Sequence, residues 1–165
     1  MTPRLTDAAT FLLESDEDIL SAVQESSTIA VLGIKPESHA HKAAHYVPAY
    51  MKDEGYEIIP VPVYYPDVVE ILGAPVHRLI AAIERPIDMV NVFRRSEDIP
   101  PHVDDIIAAM PRFVWFQLGI RNDAAAQRLA EAGIRVVQDR CLLVEHGKMK
   151  RVLAGSGTSE VKSGE

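Results

Sequence analysis

Thr28-Ile-Ala-Val-Leu32, closed by Gly33, is a continuous apolar run, short and rich in β-branched residues, the pattern of a strand buried on both faces. Further runs repeat it at Ile58 to Val61, Met89 to Val92, Phe113 to Gln117 and Arg135 to Gln138. Between them the spacing predicts helices at about Ala43 to Glu54, Val76 to Ile83, Val103 to Met110 and Asp123 to Ala132. Gly55 and Gly133 stand just past two of these helices, and Asn122 precedes one as an N-cap. Within Asp7 to Glu25, the apolar Ile19, Leu20 and Val23 and the pairing of Ser15 with Asp18 predict a helical lead-in from about Ser15.

Short buried strands alternating with helices imply parallel strands joined by crossovers. The expected fold is therefore α/β: a Rossmann-like, doubly wound, parallel five-stranded sheet in three layers, α/β/α. The chain divides into a helical lead-in over 1–27, the α/β domain over 28–150 and a flexible tail over 151–165, whose Gly, Ser and charged residues from Ala154 onward predict disorder. Such a sheet binds ligands outside the carboxyl ends of its strands, where strand order reverses.

The composition narrows the partners. At 165 residues and 47% hydrophobic content the chain fits one packed domain. A net charge of −7 opposes general nucleic-acid binding and leaves room only for a local anion site. Cys141 is the only cysteine, so no internal disulfide forms, which fits a reducing, cytoplasmic setting. The first residues carry no long apolar run, so neither a signal peptide nor a membrane span is expected.

The strand-end loops carry the candidate chemistry: Gly33 to Lys42, Pro62 to Pro66, Phe93 to Ser96, Leu118 to Asn122 and Asp139 to Cys141. Gly33 permits close approach of a ligand to the backbone, and the helix that follows offers free N–H groups to an anion. Lys35, Lys42, Arg94, Arg95, Arg121 and Arg140 all fall in these loops, and arginine forks suit phosphate oxygens. The dinucleotide fingerprint G-x-G-x-x-G is absent after the first strand. The second strand ends Val61-Pro62-Val63-Tyr64, without the acid that would hold a ribose hydroxyl. No Walker loop is present either.

Several ordered pieces carry a resemblance over about Thr28 to Lys148: Thr28-Ile-Ala-Val-Leu-Gly33, Ala44-His-Tyr-Val-Pro48, Glu54-Gly-Tyr-Glu-Ile-Ile-Pro-Val61, Asp88-Met-Val-Asn-Val-Phe-Arg94, Trp115-Phe-Gln-Leu-Gly-Ile120 and Val137-Gln-Asp-Arg-Cys141. In these the chain resembles the small bacterial CoA-binding proteins, which are similar to the CoA-binding domain of the succinyl-CoA synthetase alpha subunit. The resemblance implies coenzyme A lying over the strand ends, its phosphates near the first loop and Arg94 and its adenosine near the second and third loops. By motif it implies contacts from Gly33, Ile34, Lys35, Tyr46, Phe93, Arg94, Gln117, Gly119 and Cys141. Pro62, Arg95, Asn122 and Arg140 in the same loops complete the expected set. This chain departs from the family at Pro62-Val63-Tyr64, where many relatives have Asn-Pro and a basic residue, and at His39-Ala-His-Lys42, which replaces the usual Ser-Arg-Pro. Lys42 is expected to restore the lost charge.

Other constellations point less far. His39, His41 and His45 lack the spacing and further ligands of a metal set, so no metal is expected. Cys141 reads as a partly buried thiol rather than a nucleophile, although the resemblance would let it face the pantetheine thiol. His77 and His102 fall on predicted helices away from the strand ends, in solvated or capping roles. Trp115, Phe113 and Phe116 lie within a strand and belong to the core. No complete catalytic constellation is visible. The expectation is binding of CoA or an acyl-CoA without turnover, without nucleic acid or membrane. The alternatives are a subunit or partner of an acyltransferase or acyl-CoA ligase, and a degenerate NAD-binding oxidoreductase or regulator.

Overall fold

The computed structural model describes residues 8–163, with side chains described to residue 155. Residues 1–7 of the expected lead-in region and the chain end at 164–165 lie outside the described residues. Helix α1 spans Asp16–Glu25, and Ser15 caps it by accepting from the Asp18 N–H at 3.2 Å. Strands β1 (Thr28–Leu32), β2 (Glu57–Val61), β5 (Met89–Val92), β6 (Phe113–Phe116) and β7 (Arg135–Val137) form one parallel sheet in the order β2-β1-β5-β6-β7. Helices α2 (Ala43–Asp53), α3 (Val103–Ala109), α4 (Asp123–Glu131) and α5 (Leu142–Ser163) cover it. A two-stranded hairpin, β3 (Glu70–Ile71) with β4 (Ala74–Pro75), stands beside the sheet.

Alternation along each strand sorts the core into two layers. Ala30, Leu32, Val90, Val92, Val114 and Phe116 pack toward α3 and α4, against Val103, Ile106 and Leu129. Ile29, Val31, Met89, Phe113 and Trp115 pack toward α1, α2 and α5, against Ile19, Val47, Met51 and Leu142. The fold is thus the expected three-layer, doubly wound sheet, with its reversal of strand order between β1 and β5. At the far edge, residues before α1 add to β7: the Leu13 N–H donates to the Val136 carbonyl at 2.8 Å, and the Val136 N–H to Phe11 at 2.7 Å. No helix among the described residues is long and apolar enough to cross a membrane.

Two stretches differ from the sequence reading. Val76 to Ile83 is no helix: the β3–β4 hairpin ends at Pro75, the chain runs extended to Leu79, and a 3-10 turn spans Ile80–Ala82. Tertiary bonds replace helical ones there. The Asp105 carboxylate accepts the Ile80 and Ala81 N–H groups at 2.7 and 2.9 Å, and Arg78 donates to the Tyr64, Tyr65 and Val68 carbonyls at 2.8–3.0 Å. The stretch after Cys141, read partly as disordered tail, is the helix α5, whose backbone continues to Ser163. Its first turns carry the buried Leu142, Glu145 and His146.

Candidate functional site

Gly33 follows β1 directly and sets the geometry of the cleft. Its N–H donates to the Val61 carbonyl at 2.9 Å, and the Phe93 N–H donates to Leu32 at 2.8 Å, so the first, second and third loops leave the sheet side by side. Gly33 adopts φ +87°, and a Cβ there would stand 2.3 Å from the Phe93 carbonyl oxygen. Only glycine fits, because the left-handed backbone and the approach of β5 both forbid a side chain.

A cleft of about 260 Å³ opens over this point, lined by Gly33, Lys35, Tyr64, Tyr65, Arg94 and their neighbours Ile34, Val63, Phe93 and Arg95. It continues along Phe93, Arg94 and Arg95 into a second hollow of about 440 Å³ bounded by Ala44, Ser96, Gly119 and Ile120. Ala44 lies in the first turn of α2, whose N-cap residue Lys42 makes no side-chain capping bond. The positive end of that helix therefore adjoins the cleft, a suitable place for an anion.

The cations differ in how they are held. Among the described residues, neither Lys35 nor Lys42 has an ion-pair partner. The Arg94 side chain is 15% exposed, donates from Nε to His102 Nε2 at 3.3 Å, reaches Asp98 at 3.9 Å and lies 5.5 Å from the centre of the Tyr64 ring. Arg95 is exposed and pairs with Asp98 at 3.1 Å and Glu97 at 3.8 Å. Burial, then the charge of Arg94, holds the His102 pKa below its ordinary value against the opposing pull of Asp105 and Asp98.

Of the residues expected from the sequence, Gly33, Ile34, Lys35, Phe93, Arg94, Arg95 and Gly119 come together along this cleft. Ile34 is buried in the core, so only its backbone is free to face a ligand. Lys42 and Tyr46 lie at the start of α2, both exposed. Pro62 is buried at the end of β2. Gln117 is buried too: its Oε1 accepts from the Asn91 amide and the Leu142 N–H, both at 3.3 Å, tying β5, β6 and α5 together. Asn122 caps α4 through the Ala125 N–H at 3.0 Å and donates to the Ser96 carbonyl at 2.8 Å, joining the third loop to the fourth. Arg140 turns to Asp16 and to the buried Glu145, at 3.5 and 3.4 Å, while its carbonyl accepts from the Trp115 indole at 2.8 Å. Cys141 is half-buried against the core layer under α5. Arg121 and Arg140 border a separate cleft of about 510 Å³ along the β7 edge, where both are already paired with acids.

Residues of the candidate loops not named as contacts from the sequence, and Arg78 outside them, also shape the site. Tyr64 and Tyr65 line it, Arg78 braces the carbonyls of both, and Asp139, at φ +57°, accepts the Gly119 N–H at 2.7 Å. His102 contradicts its expected place: it stands in a 3-10 turn, Pro100–His102, against Arg94 rather than on a helix away from the strand ends. His77 also lies outside any helix, its N–H donating to the Pro60 carbonyl at 2.9 Å. Of the first-loop histidines, His39 stacks on His41 and lies tilted against Tyr65, while His45, in the first turn of α2, is buried with Nδ1 on the Lys35 carbonyl at 2.8 Å.

The chain is 38% identical over 136 residues to the uncharacterized protein YneT of Bacillus subtilis (strain 168), covering 82% of this chain and 97% of that protein. The fold is similar to the structure of cell-free ID.343 from Thermus thermophilus, at 35% identity and a TM-score of 0.74 over 82% of this chain and 99% of that one. It is also similar to a hypothetical protein from Pyrococcus horikoshii OT3, at 29% identity and a TM-score of 0.74 over 82% and 92%. Residues 27–147 match the family described as CoA binding domain, and the chain belongs to that family.

Proposed function

We propose that the chain is a stand-alone binding module for coenzyme A or an acyl-CoA, held over the carboxyl ends of β1 and β5, with no turnover of its own. The observation that carries this reading is the cleft at the reversal of strand order, where the Gly33 backbone, the uncapped start of α2, Lys35 and Arg94 meet. Backbone N–H groups at a helix start and an arginine fork suit a diphosphate. Family membership supports the same ligand. In this reading the diphosphate lies between Gly33 and Arg94, the adenosine lies beside Tyr64 and Tyr65, and the pantetheine runs past Phe93 toward Gly119. Lys42 and Tyr46 would meet the ligand from α2, and Cys141 would approach it only near the thiol end. Gln117, Asn122 and Arg140 then act by holding the loops rather than by touching ligand.

The test is native mass spectrometry of the freshly purified protein, followed by thermal-shift titration with CoA, acetyl-CoA, NAD and ATP. A ligand bound only by the folded state at a hundred times its dissociation constant adds about 2.7 kcal/mol of stability. CoA or acetyl-CoA is expected to raise the melting temperature well above NAD and ATP. A melting temperature unmoved by CoA and acetyl-CoA overturns the reading.

A further inference from the structure

Arg94 is held from behind by a titratable ring. Its Nε donates to His102 Nε2 at 3.3 Å, and a guanidinium has donors only, so Nε2 must offer its lone pair and the neutral ring carries its proton on Nδ1. The ring is fixed in place: His102 ends a 3-10 turn opened by Pro100 and Pro101 and leads straight into α3. The groups facing it are Arg94 and Asp98 from the loop after β5 and Asp105 from α3. Both acids are engaged elsewhere, Asp105 on the Ile80 and Ala81 N–H groups and Asp98 on Arg95.

We infer that His102 is a positioning residue that makes anion binding in the β1–β5 cleft depend on pH. Neutral, it accepts from Arg94 and holds the guanidinium at the cleft. When Nε2 takes a proton from solvent, the acceptor is lost and a second cation stands against Arg94, which then leaves its place. His102 does not line the cleft, so its own charge attracts the anion from further off than it repels Arg94, and loss of the arginine bond dominates. Burial and Arg94 already favour the neutral ring.

This inference rests on the CoA reading for its ligand. The probe is dephospho-CoA, whose diphosphate lacks the monoester that titrates near about pH 6 in CoA itself. Affinity is measured calorimetrically across the acidic range for the wild type and for His102→Gln, which keeps an acceptor and cannot titrate. His39 and His41 of the first loop are common to both proteins, so the comparison isolates His102. The wild type is expected to bind at least about fivefold more weakly near pH 5 than near pH 7.5, the lower end of usual site couplings, while the variant changes less. Dephospho-CoA binding with parallel profiles in both proteins, or tighter wild-type binding in acid, overturns the inference and leaves the CoA reading standing. No binding of dephospho-CoA or CoA to the wild type at neutral pH overturns both. Should the variant not fold, imidazole nitrogen shifts of the wild type carry the test. The Nδ1–H tautomer, with a pKa that falls further when ligand binds, supports the inference; the Nε2–H tautomer, or a pKa indifferent to ligand, overturns it.

Discussion

Gly33 shows how one residue can set a site. With φ at +87° and the Phe93 carbonyl 2.3 Å from any added Cβ, Gly33→Ala must either twist β1 away from β5 or close the cleft floor. The strained backbone alone costs about 1–3 kcal/mol, so the variant is expected to unfold at lower temperature and to lose CoA affinity. A melting curve and affinity equal to the wild type would contradict this close approach. The glycine was readable from sequence because a turn directly after a buried strand calls for one. The partnership of Arg94 and His102 was not: they are joined by geometry alone, through two 3-10 turns that no periodicity announces. The same holds for Arg78, whose task is to brace the backbone of Tyr64 and Tyr65.

The five main strands were legible because each is a short apolar run covered on both sides, and α2, α3 and α4 because their apolar residues recur at helical spacing between clear stops. Val76 to Ile83 misled because Ile80 and Ile83 are buried at a helix-like interval, whereas Asp105 and Arg78, far off in sequence, satisfy the backbone instead. The α5 helix hid behind its Gly, Ser and charged residues, although its first turn is anchored by Gln117. This anchoring makes a prediction about elements rather than ligand. Gln117→Leu keeps much of the volume but strips the buried Leu142 N–H of its acceptor and leaves the Asn91 amide only the Trp115 carbonyl. A buried donor left unpaired costs about 1–3 kcal/mol. Denaturant unfolding should show that loss in the ligand-free protein, with hydrogen exchange fastest to rise in the first turn of α5. Unchanged ligand-free stability would reassign Gln117 to ligand contact, the role expected of it from sequence.

Over the whole molecule, several titrating groups act in the same direction. Burial holds His146 below its ordinary pKa, with Lys150 adding to the effect and Glu54 opposing it, and burial acts likewise on His102. The unfolded chain therefore binds more protons than the folded one just below the ordinary histidine value of about 6.5, and stability falls as pH drops through that range until the depressed folded values are passed. Asp88 adds a lower stage. Burial opposes its charge, but the Ser27 and Thr28 N–H groups, the Ser27 hydroxyl and Arg112 outweigh burial and lower its pKa. Its contribution is complete above the ordinary aspartate value of about 3.9 and is lost as pH falls through the folded value. Melting temperatures are expected to hold level from mild alkali, below the tyrosine range, down to neutrality and then to fall in two stages as pH drops, the upper one smaller in His146→Gln. A melting temperature that rises between neutral pH and mild acid would contradict this assignment.

Whether the β1–β5 cleft takes CoA is decided by calorimetric titration of CoA into the wild-type protein and into Arg94→Ala. Saturable binding of one CoA per chain, weakened at least about tenfold by removing a charge-assisted bond worth about 1.5–3 kcal/mol, is the predicted result. No heat of binding in the wild type, or equal affinity in the two proteins, would contradict it.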